Sequence, residues 1–324
     1  MGQKSYYAKQ RKKLISLAGK KLAFKKYKCL IPGCDNESIR SHSIQKMFVL
    51  KNIEANGMVI SFSRDLNKLD CSINYEAPLI PHTINKASTF LGFCQEHDSK
   101  LFCEVENGNF DCYNERHGLI LFLRNLAFEC CMKRNVADIF LEYNNLLQEI
   151  SLTPYELIQS NKKFIDNYNH AKNEKYLNLV ELYNDITSGS YKNYTVFNTF
   201  LIETYGVACA TIIDTFFMVG MRENSNWNSI SFSFFPYKNK TLVSFAWNKK
   251  NAILMANYMN EIRLDSVRTL DEILFSMTED TILNINKWNK LSKTEKKYIK
   301  NQMLPPWIRE KMDYMPILEY LKNK

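Results

Sequence analysis

Two short runs carry residue types at spacings suited to chemistry: Cys29-Leu-Ile-Pro-Gly-Cys34 and Cys94-Gln-Glu-His97. A Pro-Gly turn between two cysteines brings both thiolates to one side. A Cys-x2-His at the start of a helix supplies two further ligands, completing the tetrahedral set that zinc prefers. Such an ion can contribute about 10 kcal/mol or more to folding, enough to hold together a segment with little apolar bulk. The competing account is a set of buried cysteines and a surface histidine. Cys71, Cys103 and Cys112 lie in the same stretch, and any of them could take a ligand position. Cys130-Cys131 falls in an apolar run and reads as buried.

His42 follows Cys34 by eight residues, in Ser-Ile-Arg-Ser-His-Ser-Ile, where a short strand is expected after the cysteine turn. In this order of a Cys pair, a strand histidine and a ligand pair opening a helix, the chain resembles the HNH endonucleases. These are treble-clef proteins whose zinc knuckle leads into a strand ending in the catalytic histidine. The resemblance spans roughly residues 29–102. It implies Cys29, Cys34, Cys94 and His97 as structural zinc ligands, His42 as general base, and Asp98 as the helix ligand of a catalytic Mg²⁺ or Mn²⁺. A neutral imidazole takes a proton from water, while a hard cation neutralises charge on the scissile phosphate. Where the family carries Asp or His before the catalytic histidine, this chain has Ser41. For the family's middle Asn, the nearest residues are Asn85 and Ser88.

Charge points to a polyanionic partner. The 324 residues carry a net +9 from 43 basic and 34 acidic side chains. Ten of the basic groups and no acid fall in residues 1–28, so the remainder balances at 33 against 34. Dense unpaired positive charge attracts nucleic acid by releasing condensed counterions. The expected contacts are Lys9, Arg11, Lys12, Lys13, Lys20, Lys21, Lys25 and Lys26, with DNA favoured over RNA. A solvated, solubilising tail is the alternative. Leu14, Ile15, Leu17, Ala18, Leu22 and Phe24 recur at near-helical spacing, which predicts an arm docked by an apolar stripe with its lysines outward.

Around these residues the pattern predicts an α+β protein. After the arm (1–28) comes an irregular zinc-stapled, treble-clef-like module (29–112), with short strands over Met58–Ser63 and Leu101–Glu106. A helical section (113–187) follows. Leu119, Phe122, Leu123, Leu126, Ala127 and Cys130 form its first apolar stripe, and Thr153-Pro154 reads as the start of its second helix. Ser188-Gly189-Ser190 reads as a linker. The C-terminal domain (191–324) is β-rich with helices: strands over 197–205, 207–218, 229–235 and 241–247, then short helices broken at Pro305-Pro306. Ile230, Phe232 and Phe234 alternate with Ser229, Ser231 and Ser233, the signature of a half-buried strand. Phe232, Phe234, Phe235, Tyr237, Phe245 and Trp247 read as core, with a base-stacking platform as the alternative.

Other functions are disfavoured. No run approaches the roughly 18 apolar residues of a spanning helix. The first residues lack the apolar segment of a signal peptide, and nine scattered cysteines suit reduced thiols. A cytoplasmic protein is expected, with no membrane partner. His82 reads as an exposed loop residue. His117, beside Arg116, lacks the spacing of a helical ribonuclease site. No Walker, dinucleotide or nucleophile-elbow motif is present. The functional expectation is a nucleic-acid-binding zinc protein with an HNH-like metal-dependent endonuclease site, of a phage-defence or mobile-element type. The alternative is a non-catalytic zinc-finger scaffold or sensor whose C-terminal domain binds a protein partner.

Overall fold

A hairpin of two long helices and one antiparallel sheet organise the chain. The structure is a computed structural model describing residues 2–64, 77–106, 109–149, 155–214, 229–304 and 309–324. Cys71, the Thr153-Pro154 helix start, the far end of the strand expected over 207–218 and the Pro305-Pro306 break lie outside the described residues. Among the described residues, no helix is long and apolar enough to cross a membrane.

In chain order the elements are α1 (Gly2–Leu22), β1 (Arg40–His42), β2 (Met58–Phe62), β3 (Leu79–Thr83), β4 (Thr89–Leu91), α2 (Gln95–Phe102), α3 (Glu115–Glu149), α4 (Tyr155–Ser188), β5 (Tyr194–Leu201), β6 (Val207–Asp214), β7 (Ser229–Tyr237), β8 (Lys240–Asn248), α5 (Ala252–Leu264), α6 (Ser266–Ser276), β9 (Ile282–Asn284), α7 (Ile285–Lys290), α8 (Lys293–Gln302) and α9 (Ile317–Asn323). The fold is mixed helix and sheet, as the α+β expectation has it. β1 and β4 make a separate two-stranded ribbon, and the other strands form one sheet in the order β3-β2-β9-β6-β7-β8-β5. All of its pairs are antiparallel. β2 and β3 come from within 29–112, yet β9 joins them to strands of 191–324. One sheet therefore runs through both segments that the sequence separates.

The period-2 pattern of β6, β7 and β8 feeds two cores. Ile230, Phe232, Phe234, Val243 and Phe245 face α5, α6, α8 and α9. Ala208, Ala210, Ile212, Phe235 and Leu242 face α3, whose stripe Leu119, Phe122, Leu123, Leu126, Ala127 and Cys130 is wholly buried. The aromatic cluster is thus core. β7 departs from the half-buried expectation, because Ser229, Ser231 and Ser233 are buried as well. Their hydroxyls face polar groups of the helical hairpin: Asn125 donates to Ser231 Oγ at 2.9 Å and Lys175 to Ser229 Oγ at 2.9 Å. Polar residues on a strand mark the wet side only when nothing polar covers them.

Two further expectations need correction. Leu101–Glu106 is not a strand. Cys94 opens a helix that carries Leu101 and Phe102 into the core, where the Phe102 ring packs edge-on against Phe93 at 5.1 Å. Ser188-Gly189-Ser190 is not a linker but a helix stop. Gly189 takes φ +72°, open to a residue without Cβ, and Ser190 N–H closes onto the Asp185 carbonyl at 3.0 Å.

α1 docks in part as its spacing predicts, placing Leu14, Ile15 and Ala18 against Tyr143, Leu146 and Leu147 of α3. Leu17 and Phe24, expected in the same stripe, are exposed, and Phe24 lies past the end of the helix. Not all lysines of the arm face outward to solvent alone. Lys21 pairs with Glu142 at 2.7 Å, Lys25 with Asp138 at 2.8 Å and Lys26 with Glu37 at 2.9 Å. Arg11, Lys13 and Lys20 are exposed on α1, which also carries Lys9 and Lys12.

Candidate metal centre

The chain path around Cys29 and Cys34 is a tight turn held from two sides. Cys29 N–H donates to the Asn36 carbonyl at 2.9 Å and Cys34 N–H to the Ile31 carbonyl at 3.1 Å. Gly33, at φ +75°, lets the chain reverse between the two thiols. Leu30 N–H bonds the Gly92 carbonyl at 2.8 Å and Ile39 N–H the Phe93 carbonyl at 2.7 Å, fastening this turn to the segment entering α2. Cys94 then sits at the N-cap of α2 in an extended conformation (φ −75°, ψ 166°), and His97 lies within the first turn.

These local choices bring four ligand atoms together. The Sγ atoms of Cys29, Cys34 and Cys94 and a ring nitrogen of His97 all lie within 4.8 Å of one another, close enough to hold a metal ion. Cys34 Sγ is 3.8 Å from Cys94 Sγ, and His97 Nδ1 is 3.6 Å from Cys29 Sγ and 3.3 Å from Cys94 Sγ. Cys29 and Cys94 are buried, and Cys34 and His97 half-buried. Burial pushes the Cys29 thiol up to about 12. At Cys94 burial acts the same way, but hydrogen bonds from His97, Cys34 and Cys29 outweigh it and bring that thiol down to about 7. Cys103 and Cys112 stand outside the cluster; Cys103 is exposed beyond the end of α2, and Cys112 is buried.

His42 ends β1, directly across from Thr89 of β4. Its Nε2 is 3.1 Å from the Ile84 carbonyl, so Nε2 carries the proton and Nδ1 the lone pair. Burial, with the nearby charges of Lys46 and Arg124, holds its pKa below the ordinary value despite that bond, so the ring is neutral at pH 7. Asp98 follows His97 in the first turn of α2; its Oδ1 is buried and has no hydrogen-bond partner. Its charge acts on both His42 and Arg124.

Arg124 is the residue that sequence reasoning missed. It projects from α3, bonds Glu106 at 2.6 Å and lies 3.9 Å over the ring of Phe102, which is four residues from Asp98 on the same face of α2. In sequence it is an interruption in an apolar stripe, with nothing to connect it to His42. His82 also departs from expectation. It is on β3 and half-buried, with Nδ1 2.7 Å from Ser61 Oγ. His117 is structural, its Nδ1 accepting from Asp111 N–H at 2.9 Å at the start of α3. Ser41 is buried, its Oγ without a partner; Ser88 N-terminal to β4 takes φ +58° and its carbonyl accepts from Ser43 N–H. Asn85 occupies the turn between β3 and β4.

No protein-family model, curated protein or solved structure matches this chain.

Proposed function

We propose that the Cys29, Cys34, Cys94 and His97 cluster holds structural zinc, and that the surrounding module is an HNH-like, treble-clef unit acting on nucleic acid. Around a tetrahedral zinc ion, bonds of about 2.3 Å to sulfur and 2.0–2.1 Å to nitrogen set ligand atoms about 3.8 Å (S–S) and 3.6 Å (S–N) apart. The separations of 3.8, 3.6 and 3.3 Å suit that ion. The order of elements supports the rest of the reading: a cysteine turn, the β1–β4 ribbon, then a helix opened by the second ligand pair.

The observation that carries the catalytic reading is His42, neutral and held through Nε2 by Ile84, with Nδ1 left as a base. In this reading Nδ1 takes the proton of the attacking water, and the Ile84 carbonyl fixes the ring that does so. Asp98, with Oδ1 unpartnered, is the residue that would hold Mg²⁺ or Mn²⁺, which supplies charge neutralisation at the phosphate. The test is plasmid cleavage by the purified protein with added Mg²⁺ or Mn²⁺. His42→Ala should lower the rate by about 10²–10⁴ while leaving zinc content and circular dichroism unchanged. Absence of divalent-dependent cleavage by the zinc-loaded protein would remove the nuclease reading.

One observation favours the second reading, a non-catalytic zinc scaffold or sensor. Lys21, Lys25 and Lys26 are engaged by acids of the same chain, which leaves less of the arm for a polyanion. Zinc without either cleavage or salt-sensitive nucleic-acid binding would select it.

A further inference from the structure

β5 is an edge of the seven-stranded sheet and pairs with β8 alone among the described residues. An edge strand offers a row of N–H and C=O groups to any other strand unless something blunts it. The opposite edge is blunted: β3 spans five residues and carries exposed Pro81, which has no N–H to donate. β5 has no such device. Tyr-Thr-Val-Phe-Asn-Thr-Phe-Leu contains no charge and no proline, and it pairs with β8 through eight consecutive positions without a bulge. Phe197 at its middle is 40% exposed, and Ile202 just past its end is 79% exposed.

We propose that β5 pairs antiparallel with β5 of a second copy of this chain, joining two sheets across a two-fold axis. Such an interface is self-complementary, and the strand satisfies that condition. With the axis at Phe197, the two Phe197 side chains meet. Thr195 stands opposite Thr199 of the second copy, and Tyr194 opposite Phe200. The Phe197–Phe197 and Thr195–Thr199 pairs are of a kind that stabilises cross-strand contacts, while Tyr194 stays buried against Phe122 of its own chain. An uncharged strand brings no like charges together. The ends that meet carry opposite ones, Lys192 before the strand and Glu203 after it, the latter also 3.3 Å from Lys322.

Sedimentation of the full chain over a range of micromolar concentrations tests this, together with hydrogen exchange across residues 194–201. The expected result is a species of twice 38.1 kDa, with β5 exchange slowing as concentration rises. Phe197→Lys sets two ammonium groups face to face at the axis, and Thr199→Lys places two more beside it. Each should give a 38.1 kDa species with unchanged circular dichroism and concentration-independent exchange in β5. A wild-type chain that sediments as a monomer throughout, with β5 exchange independent of concentration, overturns the proposal. So does a dimer that survives both substitutions.

Discussion

Cys94 Sγ lies 3.3 Å from His97 Nδ1, and the two are carried by the first turn of one helix. Half of the ligand set is therefore local, while Cys29 and Cys34 reach it from a turn some sixty residues earlier in the chain. An ion joining these halves closes that long loop. Metal analysis of purified protein should give one equivalent of zinc, and Cys94→Ser or Cys29→Ser should abolish it. Hydrogen exchange should then accelerate over residues 27–42 and 89–102, while β2 and β3, held in the main sheet, keep their protection. The expected loss is several kcal/mol. A folded, zinc-free wild-type protein would refute the assignment.

Asp271 should make stability fall with pH. It is buried in α6 and accepts from Leu318 N–H and Tyr314 Oη, both at 2.9 Å, tying α9 and the preceding segment to the core. Burial pushes its carboxyl up to about 7 against the hydrogen bonds that oppose the rise, and Glu319 adds to it. A carboxyl raised from 3.8 in this way contributes most below that value and loses the contribution as pH climbs through about 7. Between pH 5 and 8 the wild type should lose up to about 1.4 kcal/mol per pH unit relative to Asp271→Asn. Urea denaturation at each pH measures the difference, and parallel curves for the two proteins would exclude the effect.

The basic residues of the arm should divide into two classes. If the arm binds DNA, replacing exposed Arg11, Lys13 and Lys20 by Gln should lower the slope of log K against log salt by about 0.9 for each phosphate no longer neutralised. Lys21→Gln and Lys25→Gln remove ion pairs to α3 and should loosen α1 while changing the slope less. Fluorescence anisotropy with a labelled duplex, set beside hydrogen exchange of α1, separates the classes. Equal slopes for all variants would show that the arm makes no phosphate contact.

Gly118 is fixed by its neighbour across the helix–sheet interface. A Cβ built there would stand 2.4 Å from Val196 Cγ1 of β5, whose branched side chain has little rotamer freedom. Gly118→Ala should destabilise by about 1–3 kcal/mol, and Val196→Ala in the same chain should recover most of that. Thermal melts of the single and double variants measure it. Failure of the second substitution to rescue would place the strain elsewhere.

The legible parts of this fold are those written in local spacing. The metal cluster could be read because Pro-Gly and a helix N-terminus orient ligands within five residues of one another. The stripe of α3 follows from its helical period, and the strands β6 to β8 from runs dense in Val, Ile, Thr, Phe and Tyr. What stayed hidden depends on partners distant in sequence. The buried serines of β7 look solvated until Asn125 and Lys175 are placed over them. Leu101–Glu106 looks like a strand until Cys94 starts a helix before it. Lys21 and Lys25 read as outward charges because Glu142 and Asp138 lie more than a hundred residues away. Arg124 joins the surroundings of His42 only through the packing of α3 on α2.

β9 is three residues long, yet it pairs with β2 on one side and β6 on the other. Val59 meets Asn284 across more than two hundred residues of intervening chain. During synthesis the ribbon, the cysteine turn and the helical hairpin can all assemble before residue 282 leaves the ribosome, but the main sheet cannot. Until then β2 and β6 each present an open edge. Nucleation by non-local pairing is slow, so the stretch from residue 282 onward governs when the molecule becomes one cooperative unit, and nascent or truncated forms ending before β9 carry two exposed strands prone to aggregate.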